Sequence, residues 1–266
     1  MTTINRQKKA ARLLFLFVSC TFLLSCQKAS RIHFTFSGST MGTQYHVTVV
    51  EKGIVERGVV ENDLVNNTAD KQRADSNKQK QQTISSKKDL QAAIEQQLQL
   101  INQQMSTYSE ESELSQLNKA SADQWVTVSG NLFDVLMMSL EIAWLSNGAF
   151  DVTVAPLVNL WGFGPDISNT SGAVPSTVKI TETLAQIGFQ NIELNLANNG
   201  IRKHKQVTID LSAIAKGYAV DKVAELLNYA GYTDFMVEIG GELRLQGNSP
   251  RDTPWRIAIE QPQALM

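Results

Sequence analysis

A lysine near the start of a predicted helix is the residue of this sequence whose neighbours most clearly suggest chemistry. Lys216 lies in the stretch IDLSAIAKGYAVDKVA, where an apolar strand-like segment runs into a helical pattern. The N-terminus of a helix carries partial positive charge, so a lysine there is locally unfavourable unless an anion compensates it. The small residues Ala213, Ala215 and Gly217 allow a ligand to approach the backbone. Ser212 is predicted to cap the helix. The combination favours an anion site, with phosphate as the natural ligand.

Lys216 also has a simpler interpretation, in which it pairs with Asp210 or extends into solvent. The stretch is not a phosphate-binding Walker A loop, because the Gly-x-x-x-x-Gly-Lys-Ser/Thr spacing is absent. Aromatic residues at Tyr108, Trp161 and Phe163 could stack on a planar ring, although aromatic residues in such places are often part of the core. Each of these signals is weak when it is taken alone.

The remaining polar residues do not define a catalytic group. Asp151 and Asp210 each adjoin an apolar strand-like segment, where capping or solvated roles are common for carboxylates. The three histidines, His33, His46 and His204, lack the mutual spacing of a metal site. No Ser-His-Asp arrangement is apparent, so the catalytic residue stays unassigned.

Helical patterns surround these residues. Apolar residues at helical spacing predict helices over 90–105 and 132–145, and a third within VPSTVKITETLAQIGF that Gly188 closes. The helix that carries Lys216 is predicted to end at Ala230. Between the second and third helices, AFDVTVAPLVNLWGFGP has no clean periodicity and is predicted to be a structured loop with short turns.

Strand patterns occur between the helices. RIHFTF and QYHVTVVEK alternate with period two and are separated by SGSTMGT, which is predicted to be a loop over residues 37–43. QWVTV, QVTID and WRIAIE are predicted to be single strands, and DFMVEIGGELRLQG to be a hairpin that turns at Gly240-Gly241. These elements predict an α+β fold with mixed β-sheets and packed helices.

The first 25 residues resemble a bacterial lipoprotein signal peptide. INRQKKAAR is basic, and LLFLFVSCTFLLS is apolar but too short for a membrane-spanning helix. The run closes on Leu-Leu-Ser-Cys, so Cys26 is predicted to be lipidated and to begin the mature chain. The alternative is an uncleaved anchor in which Cys26 is a chance cysteine.

The mature chain would be one mildly acidic domain over residues 26–266. Loss of four basic residues with the signal peptide takes the formal charge from −2 to −6, which disfavours a nucleic-acid partner. Cys20 would leave with the signal and Cys26 would be acylated, so neither thiol could serve as a nucleophile. A polar stretch at about 53–86 is predicted to be a flexible insertion, because it has too few apolar residues to pack.

Five motifs, in order, resemble the ApbE family of FAD:protein FMN transferases. They are GSTMGTQYHV, MSTYSEESELSQLN, GAFDVTVAPLVNLWGFG, IDLSAIAKGYAVDKVAELL and VEIGGELRLQG. The resemblance implies an enzyme that moves FMN from FAD onto a threonine hydroxyl of an acceptor protein, with release of AMP and with Mg²⁺. It also implies a lipid-anchored location on the periplasmic face of the bacterial inner membrane. The acceptors would be subunits of electron-transport complexes of the ion-pumping NADH:quinone oxidoreductase type.

The resemblance gives roles to individual residues. The positions that it implies contact FAD are Met41, Tyr108, Ala149, Phe150, Asp151, Asp210 and Lys216. The backbone carbonyl of Ala213 corresponds to a magnesium ligand. Family members continue past the WRIAIE segment with further metal ligands that this sequence lacks, so the chain is expected to be a C-terminally incomplete copy.

Two other functions stay open. In an FAD pyrophosphatase, water instead of a threonine would attack the same bond in the same pocket. A non-catalytic lipoprotein could instead bind or scavenge FAD without turnover.

Overall fold

The computed structural model describes residues 31–51, 86–164 and 174–259. Within them, seven strands and six helices form the α+β fold that the sequence predicts. The strands are β1 (His33–Thr40), β2 (Thr43–Val50), β3 (Trp125–Thr127), β4 (Ile192–Asn195), β5 (Gly200–Lys203), β6 (Phe235–Ile239) and β7 (Glu242–Gln246). The helices are α1 (Lys87–Met105), α2 (Glu113–Lys119), α3 (Gly130–Leu145), α4 (Ala155–Leu160), α5 (Thr177–Leu184) and α6 (Ala215–Tyr229). The predicted signal peptide, Cys26 and the polar insertion up to residue 85 lie outside the described residues.

Two antiparallel sheets organise the chain. The larger has the order β1-β2-β6-β7 and the smaller the order β3-β5-β4. Helices α1 and α6 contact each other, and α6 also contacts β6 and β7. The start of α6, which carries Lys216, therefore lies beside the end of the larger sheet. Among the helices of the described residues, none has the length and apolarity needed to cross a membrane.

Helix α1 confirms the clearest helical pattern of the sequence. Its buried positions recur every three or four residues: Leu90, Ile94, Leu98, Ile101 and Met105. A stripe with this spacing lies on one face of a helix and packs against the core. The hydroxyl of Ser86, at the N-cap, accepts a hydrogen bond from the N–H of Asp89 at 3.1 Å, which satisfies one of the free donors of the first turn.

The predicted loop over 37–43 is wrong, because β1 continues through it. Strand β1 pairs with β2 as far as Thr40 opposite Thr43, so that only Met41-Gly42 is left to form the turn. Both turn residues have positive φ, 49° and 73°. A two-residue turn of this kind matches the twist of the flanking strands, and it needs less chain than the sequence pattern suggested.

Two predicted strands are absent from the sheets of the described residues. QVTID forms no strand, and its last two residues bond instead with the side chain of Asn118 and the carbonyl of Val152. The part of WRIAIE that is described, residues 255–259, also forms no strand, although Trp255 Nε1 donates to the carbonyl of Gln246 at 3.0 Å. In contrast, the strand predicted in QWVTV is confirmed as β3, and the hairpin predicted in DFMVEIGGELRLQG is confirmed as β6 and β7.

The stretch between α3 and the smaller sheet is more regular than its sequence indicates. The predicted loop in AFDVTVAPLVNLWGFGP contains the short helix α4, which has Pro156 in its first turn. Helix α5 ends at Leu184, so Gly188 does not close it. Gly188 instead precedes a 3-10 turn at Phe189–Asn191. Strands β4 and β5, on either side of Asn199, were missed by the sequence analysis.

Candidate functional site

The turn before helix α6 is held by a carboxylate. The helix begins at Ala215 after Ile214, and no side chain caps it. The prediction that Ser212 caps the helix is wrong, because Ile214 occupies the cap position. The N–H of Ser212 instead donates to Oδ1 of Asp210 at 2.7 Å. An aspartate that accepts from the N–H two residues later forms a tight turn of its own, so the chain reaches the helix already ordered. This turn places Ser212 and Ala213 on the wall of a cavity.

The segment that leads to this turn is fixed on both sides. Asn118 Nδ2 donates to the carbonyl of Ile209 at 2.9 Å, and its Oδ1 accepts from the N–H of Ile209 at 2.8 Å. On the other side, the N–H of Asp210 donates to the carbonyl of Val152 at 2.7 Å. The paired contacts substitute for a neighbouring strand, and they bring Asp210 next to the chain around Asp151.

A buried lysine supports Asn118. The side chain of Lys203 is almost completely enclosed, with 1% exposure, and Nζ donates to the carbonyl of Asn118 at 2.8 Å. Burial lowers the pKa of the Lys203 ammonium, because a charge is costly away from water. Gln206 donates to the same carbonyl at 3.1 Å. Sequence reasoning missed both Asn118 and Lys203, because their partners are distant in the chain.

Lys216 does not pair with Asp210, and it does not simply extend into solvent. Its Nζ donates to the carbonyl of Gly240 at 3.2 Å and lies 3.4 Å from Oε1 of Glu242. Both partners belong to the β6–β7 hairpin. The side chain of Lys216 keeps 31% of its surface exposed. The ammonium therefore lies between the hairpin and an open cavity.

Asp151 has a structural role in this state of the protein. Its Oδ1 accepts from the N–H and hydroxyl of Thr153 at 2.7 and 2.6 Å, and its Oδ2 accepts from the N–H of Phe189 at 2.9 Å. The hydroxyl of Thr153 in turn accepts from the N–H of Gly188 at 2.7 Å. These bonds join the chain after α3 to the 3-10 turn, and they fix the backbone beside Phe150.

Tyr108 projects from a tight polar turn after α1. The hydroxyl of Ser106 accepts from the N–H groups of Tyr108 and Ser109, each at 3.2 Å. The hydroxyl of Ser112 donates to the carbonyl of Ser106 at 2.6 Å. The ring of Tyr108 is 71% exposed. A rigid turn that presents an exposed aromatic ring is suited to stacking on a planar ligand.

Two adjoining cavities bring the predicted residues together. One, of about 600 Å³, is lined by Met41, Gly42, Asn102, Met105, Ser106, Thr107, Tyr108, Ser212, Ala215 and Lys216. The other, of about 420 Å³, is lined by Thr107, Tyr108, Ala149, Phe150, Asp151, Val152, Val154, Val158, Phe163, Gly164, Asp210, Ser212 and Ala213. Both volumes are in the range of small-molecule sites. The cavities share Thr107, Tyr108 and Ser212, so they form one continuous cleft.

All seven residues that the sequence assigns to FAD lie on this cleft, and so does Ala213. Phe163, with a ring that is 78% exposed, lines the smaller cavity. Trp161, the other aromatic residue of that loop, is not part of either wall. The histidines also lie elsewhere, and His46 instead contacts Glu238 at 2.8 Å.

The described residues by themselves do not form a magnesium site. Within the described ranges, no three His, Cys, Asp or Glu side chains cluster in a way that could hold a metal ion. At the start of α6, the carbonyls of Leu211 and Ile214 accept backbone hydrogen bonds. Among these described bonds, none is accepted by the carbonyl of Ala213, which is therefore available to a ligand. Asp151 and Asp210 line the same cavity, but hydrogen bonds already engage both oxygens of Asp151 and Oδ1 of Asp210. Mg²⁺ requires about six oxygen ligands, more than this set offers.

Comparison with known proteins identifies the family. The model of the ApbE family matches residues 41–266, and the chain therefore belongs to that family. The FAD:protein FMN transferase of Vibrio cholerae serotype O1 is 36% identical over 246 residues, which are 92% of this chain and 63% of the relative. The enzyme of the same name from Haemophilus influenzae is 35% identical over 244 residues, with coverages of 90% and 62%. The chain spans about three fifths of the length of these curated relatives.

Solved structures confirm the ApbE-like fold. The flavin transferase ApbE from Vibrio cholerae matches with a TM-score of 0.70 and 35% identity, over 87% of this chain and 64% of that one. The apo form of the Pseudomonas stutzeri flavinyl transferase ApbE matches with a TM-score of 0.69 and 30% identity, over 88% and 67% of the two chains.

Proposed function

We propose that this protein is an FAD:protein FMN transferase whose flavin nucleotide binds in the cleft between α1, α6 and the end of the larger sheet. The observation that carries the proposal is the convergence of all seven predicted FAD residues on that one cleft, from four separate parts of the chain. The names of the relatives, and membership of the ApbE family, support it.

The two halves of the cleft offer different chemistry to FAD. Tyr108, Phe150 and Phe163 line the smaller cavity, where the exposed rings of Tyr108 and Phe163 can stack on the isoalloxazine ring. Lys216 and the small residues Gly42 and Ala215 line the larger cavity, where an ammonium group and an open backbone suit phosphate oxygens. We assign the flavin to the first half and the pyrophosphate to the boundary between the two, near Ser212.

The reaction exchanges one phosphorus–oxygen bond for another. The threonine hydroxyl of the acceptor would attack the phosphorus on the FMN side, forming a new P–O bond. The bond from that phosphorus to the bridging oxygen would break, so that AMP leaves with the bridging oxygen and the threonine proton passes to a base. Lys216 would offset the negative charge that develops on the phosphate oxygens. The described residues do not identify the base.

Magnesium dependence is part of the proposal. Ala213, through its carbonyl, is the one described residue that we assign to the ion, and the other oxygens must come from FAD, water and further ligands. When bound, the ion would neutralise phosphate charge.

Product analysis with a threonine-bearing acceptor tests the function. The 266-residue chain is incubated with FAD, Mg²⁺ and an acceptor protein. The acceptor is a subunit of an ion-pumping NADH:quinone oxidoreductase that carries the threonine to be labelled. Covalent flavin fluorescence on a denaturing gel, with one AMP released per flavin attached, is the expected result. Free FMN and AMP without labelled acceptor would make the protein an FAD pyrophosphatase, and bound, unchanged FAD would make it a binding protein.

The location forms a further part of the proposal. The Leu-Leu-Ser-Cys sequence supports lipidation at Cys26. Attachment to the periplasmic face of the inner membrane is proposed from the acceptors of the family, which would be electron-transport subunits of that membrane. Cys26→Ala is expected to leave the precursor uncleaved and without lipid, as measured by mass spectrometry of membrane fractions. A normally processed, membrane-bound Cys26→Ala protein would contradict the lipid anchor.

A further inference from the structure

The ammonium of Lys216 has a protein anion beside it as well as a cavity in front of it. Glu242, the first residue of β7, places Oε1 3.4 Å from Lys216 Nζ. The carbonyl of Gly240 accepts a hydrogen bond from the same nitrogen at 3.2 Å. Lys216 lines the larger cavity, whereas Glu242 belongs to the hairpin behind it. One cation is thus shared between an internal partner and the space where a ligand would bind.

The contact between Lys216 and Glu242 is of a kind that breaks easily. The side chain of Glu242 is 50% exposed and that of Lys216 is 31% exposed. Ion pairs with this exposure are screened by water and contribute little to stability. A phosphate group in the cavity can therefore replace Glu242 as the partner of the ammonium without disturbing the fold.

Other charges around Lys216 do not take over the role of Glu242. Glu238 is the second carboxylate of the hairpin, and its own contacts are with the N–H of Gly241 at 2.6 Å and with His46 at 2.8 Å. Those contacts leave Glu242 as the carboxylate paired with Lys216 within the described residues.

We infer that Glu242 is a positioning residue that competes with phosphate for Lys216 and so lowers the affinity of the cleft for flavin nucleotides. This inference rests on the proposed binding of FAD. In the free protein Glu242 draws Lys216 toward the hairpin, and FAD binds only after the ammonium turns to the phosphate. When the product AMP leaves, the lysine has an internal partner to return to, which favours release.

The size of the effect follows from the strength of exposed ion pairs. A ligand that needs one conformer binds more weakly in proportion to the fraction of protein in that conformer. An exposed pair of ordinary strength leaves the lysine free for about one sixth to one third of the time. Removing the Glu242 charge is therefore expected to tighten FAD binding by about three- to sixfold.

A second ion pair between the same two elements provides a matched control. Asp221 Oδ1 of α6 lies 2.7 Å from Arg244 Nη1 of β7, and both side chains are about half exposed. Neither residue lines the cleft. Asp221→Asn changes the net charge by the same amount as Glu242→Gln and breaks another ion pair between α6 and β7, but it leaves Lys216 untouched.

Titration by flavin fluorescence tests the inference. We expect Glu242→Gln to bind FAD and FMN more tightly than the parent chain, whereas riboflavin, which has no phosphate, should bind both equally. Asp221→Asn should match the parent for all three ligands, and Glu242→Asp should return FAD affinity toward the parent value. Equal or weaker FAD binding by Glu242→Gln, or equal tightening by Asp221→Asn, would overturn the inference.

A double-mutant cycle shows whether Glu242 acts through the lysine. In a Lys216→Met background, Glu242→Gln should no longer change FAD affinity, because there is no ammonium to compete for. The same improvement in both backgrounds would mean that Glu242 repels the ligand directly, and the inference would be wrong. If the parent chain itself does not bind FAD, the proposed function fails; if the parent binds FAD and only the cycle fails, the proposed function stands without Glu242.

Discussion

Two hairpin turns lie side by side at one end of the larger sheet, and the protein holds them in different ways. Met41-Gly42 joins β1 to β2, and Gly240-Gly241 joins β6 to β7. All four residues have positive φ, 49° and 73° in the first turn and 54° and 94° in the second. The backbone geometry is therefore nearly the same, and the difference lies in what surrounds each turn.

The Gly240-Gly241 turn is tied to its neighbours through Gly240, whereas the Met41-Gly42 turn is open at Gly42 although Met41 packs against the core. Gly240 donates its N–H to the carbonyl of Gln44 at 3.1 Å, and its carbonyl accepts from Lys216. A Cβ atom on Gly42 would meet nothing within 4 Å, and the same is true of Gly241, so the fixed turn is crowded at Gly240 alone. The sheet thus ends in one fixed turn, which holds the lysine, and one open turn, which borders the cleft. This arrangement gives the larger cavity, which we propose for the phosphate side of FAD, one rigid wall and one accessible wall.

The largest expected effect is on the fixed turn. Gly240→Ala should lower the free energy of unfolding by about 2–4 kcal/mol, measured by denaturant titration. About 1 kcal/mol of this comes from a side chain at positive φ, and the rest from crowding, since the new Cβ would lie 2.7 Å from Cγ2 of Thr43. In a Thr43→Ala background, the loss of unfolding free energy caused by Gly240→Ala should be smaller by at least about 1 kcal/mol. An unchanged cost would mean that the crowding is not with Thr43.

Next comes the lysine that connects the fixed turn with the cleft. Lys216→Met keeps an apolar stem and removes the ammonium, so FAD affinity should fall by about tenfold to a hundredfold, the value of a charge-assisted contact. Riboflavin should bind the variant and the parent equally, as measured by flavin fluorescence. The variant should stay folded, because the hydrogen bond that it loses, from Lys216 to Gly240, is partly exposed. Unchanged FAD affinity in a folded variant would remove Lys216 from the site.

The two turns also show what the sequence could and could not predict. The pair Gly240-Gly241 between two alternating segments is a local hairpin signal, and it was interpreted correctly. In SGSTMGT the small polar residues indicated a loop, but Thr40 and Thr43 pair across the strands and leave a turn of two residues. Local patterns predict turns well where glycine marks both central positions, and less well where pairing between strands decides how long the strands are.

The resemblance indicated residues that line one cleft, but not the contacts that these residues make. The resemblance placed Met41, Tyr108, Asp210 and Lys216 on one cleft, as the structure has them. The partners of Lys216 come from a hairpin whose turn, at Gly240, lies 24 residues later in the chain, and no local pattern indicates them. The role of Ser212 was misjudged for a different reason, because the helix begins only at Ala215 and Ile214 occupies the cap position.

A smaller effect is expected from Glu238, whose carboxylate accepts a hydrogen bond from the N–H of Gly241 in the fixed turn. Burial alone would raise the pKa of Glu238, but the N–H of Gly241, then His46 and finally Lys216 lower the pKa on balance. A carboxylate with a lowered pKa in the folded state stabilises the protein above its unfolded pKa, and this contribution disappears as the pH falls through the folded value, below 4.5.

Glu238→Gln should therefore lower the free energy of unfolding at pH 7 by about 1.5 kcal/mol, the lower end for a hydrogen bond to a charged group. The loss should shrink as the pH approaches 3. His46→Gln serves as the control, because it keeps the bond from Glu238 to Gly241. A cost that is the same at pH 7 and pH 3 would show that the charge of Glu238 does not hold the turn.

The smallest effect is expected at the open turn, and it isolates the backbone cost that the two turns share. Gly42→Ala places a methyl group at φ 73° with no atom within 4 Å, so the strain of the left-handed conformation is the one term left. The free energy of unfolding should fall by about 1 kcal/mol, clearly less than for Gly240→Ala. Gly42→Asn should cost less still, because asparagine tolerates this conformation better than alanine does. If Gly42→Ala were as damaging as Gly240→Ala, other atoms would have to pack around Gly42 in the folded protein, and the distinction between an open and a fixed wall of the cleft would be wrong.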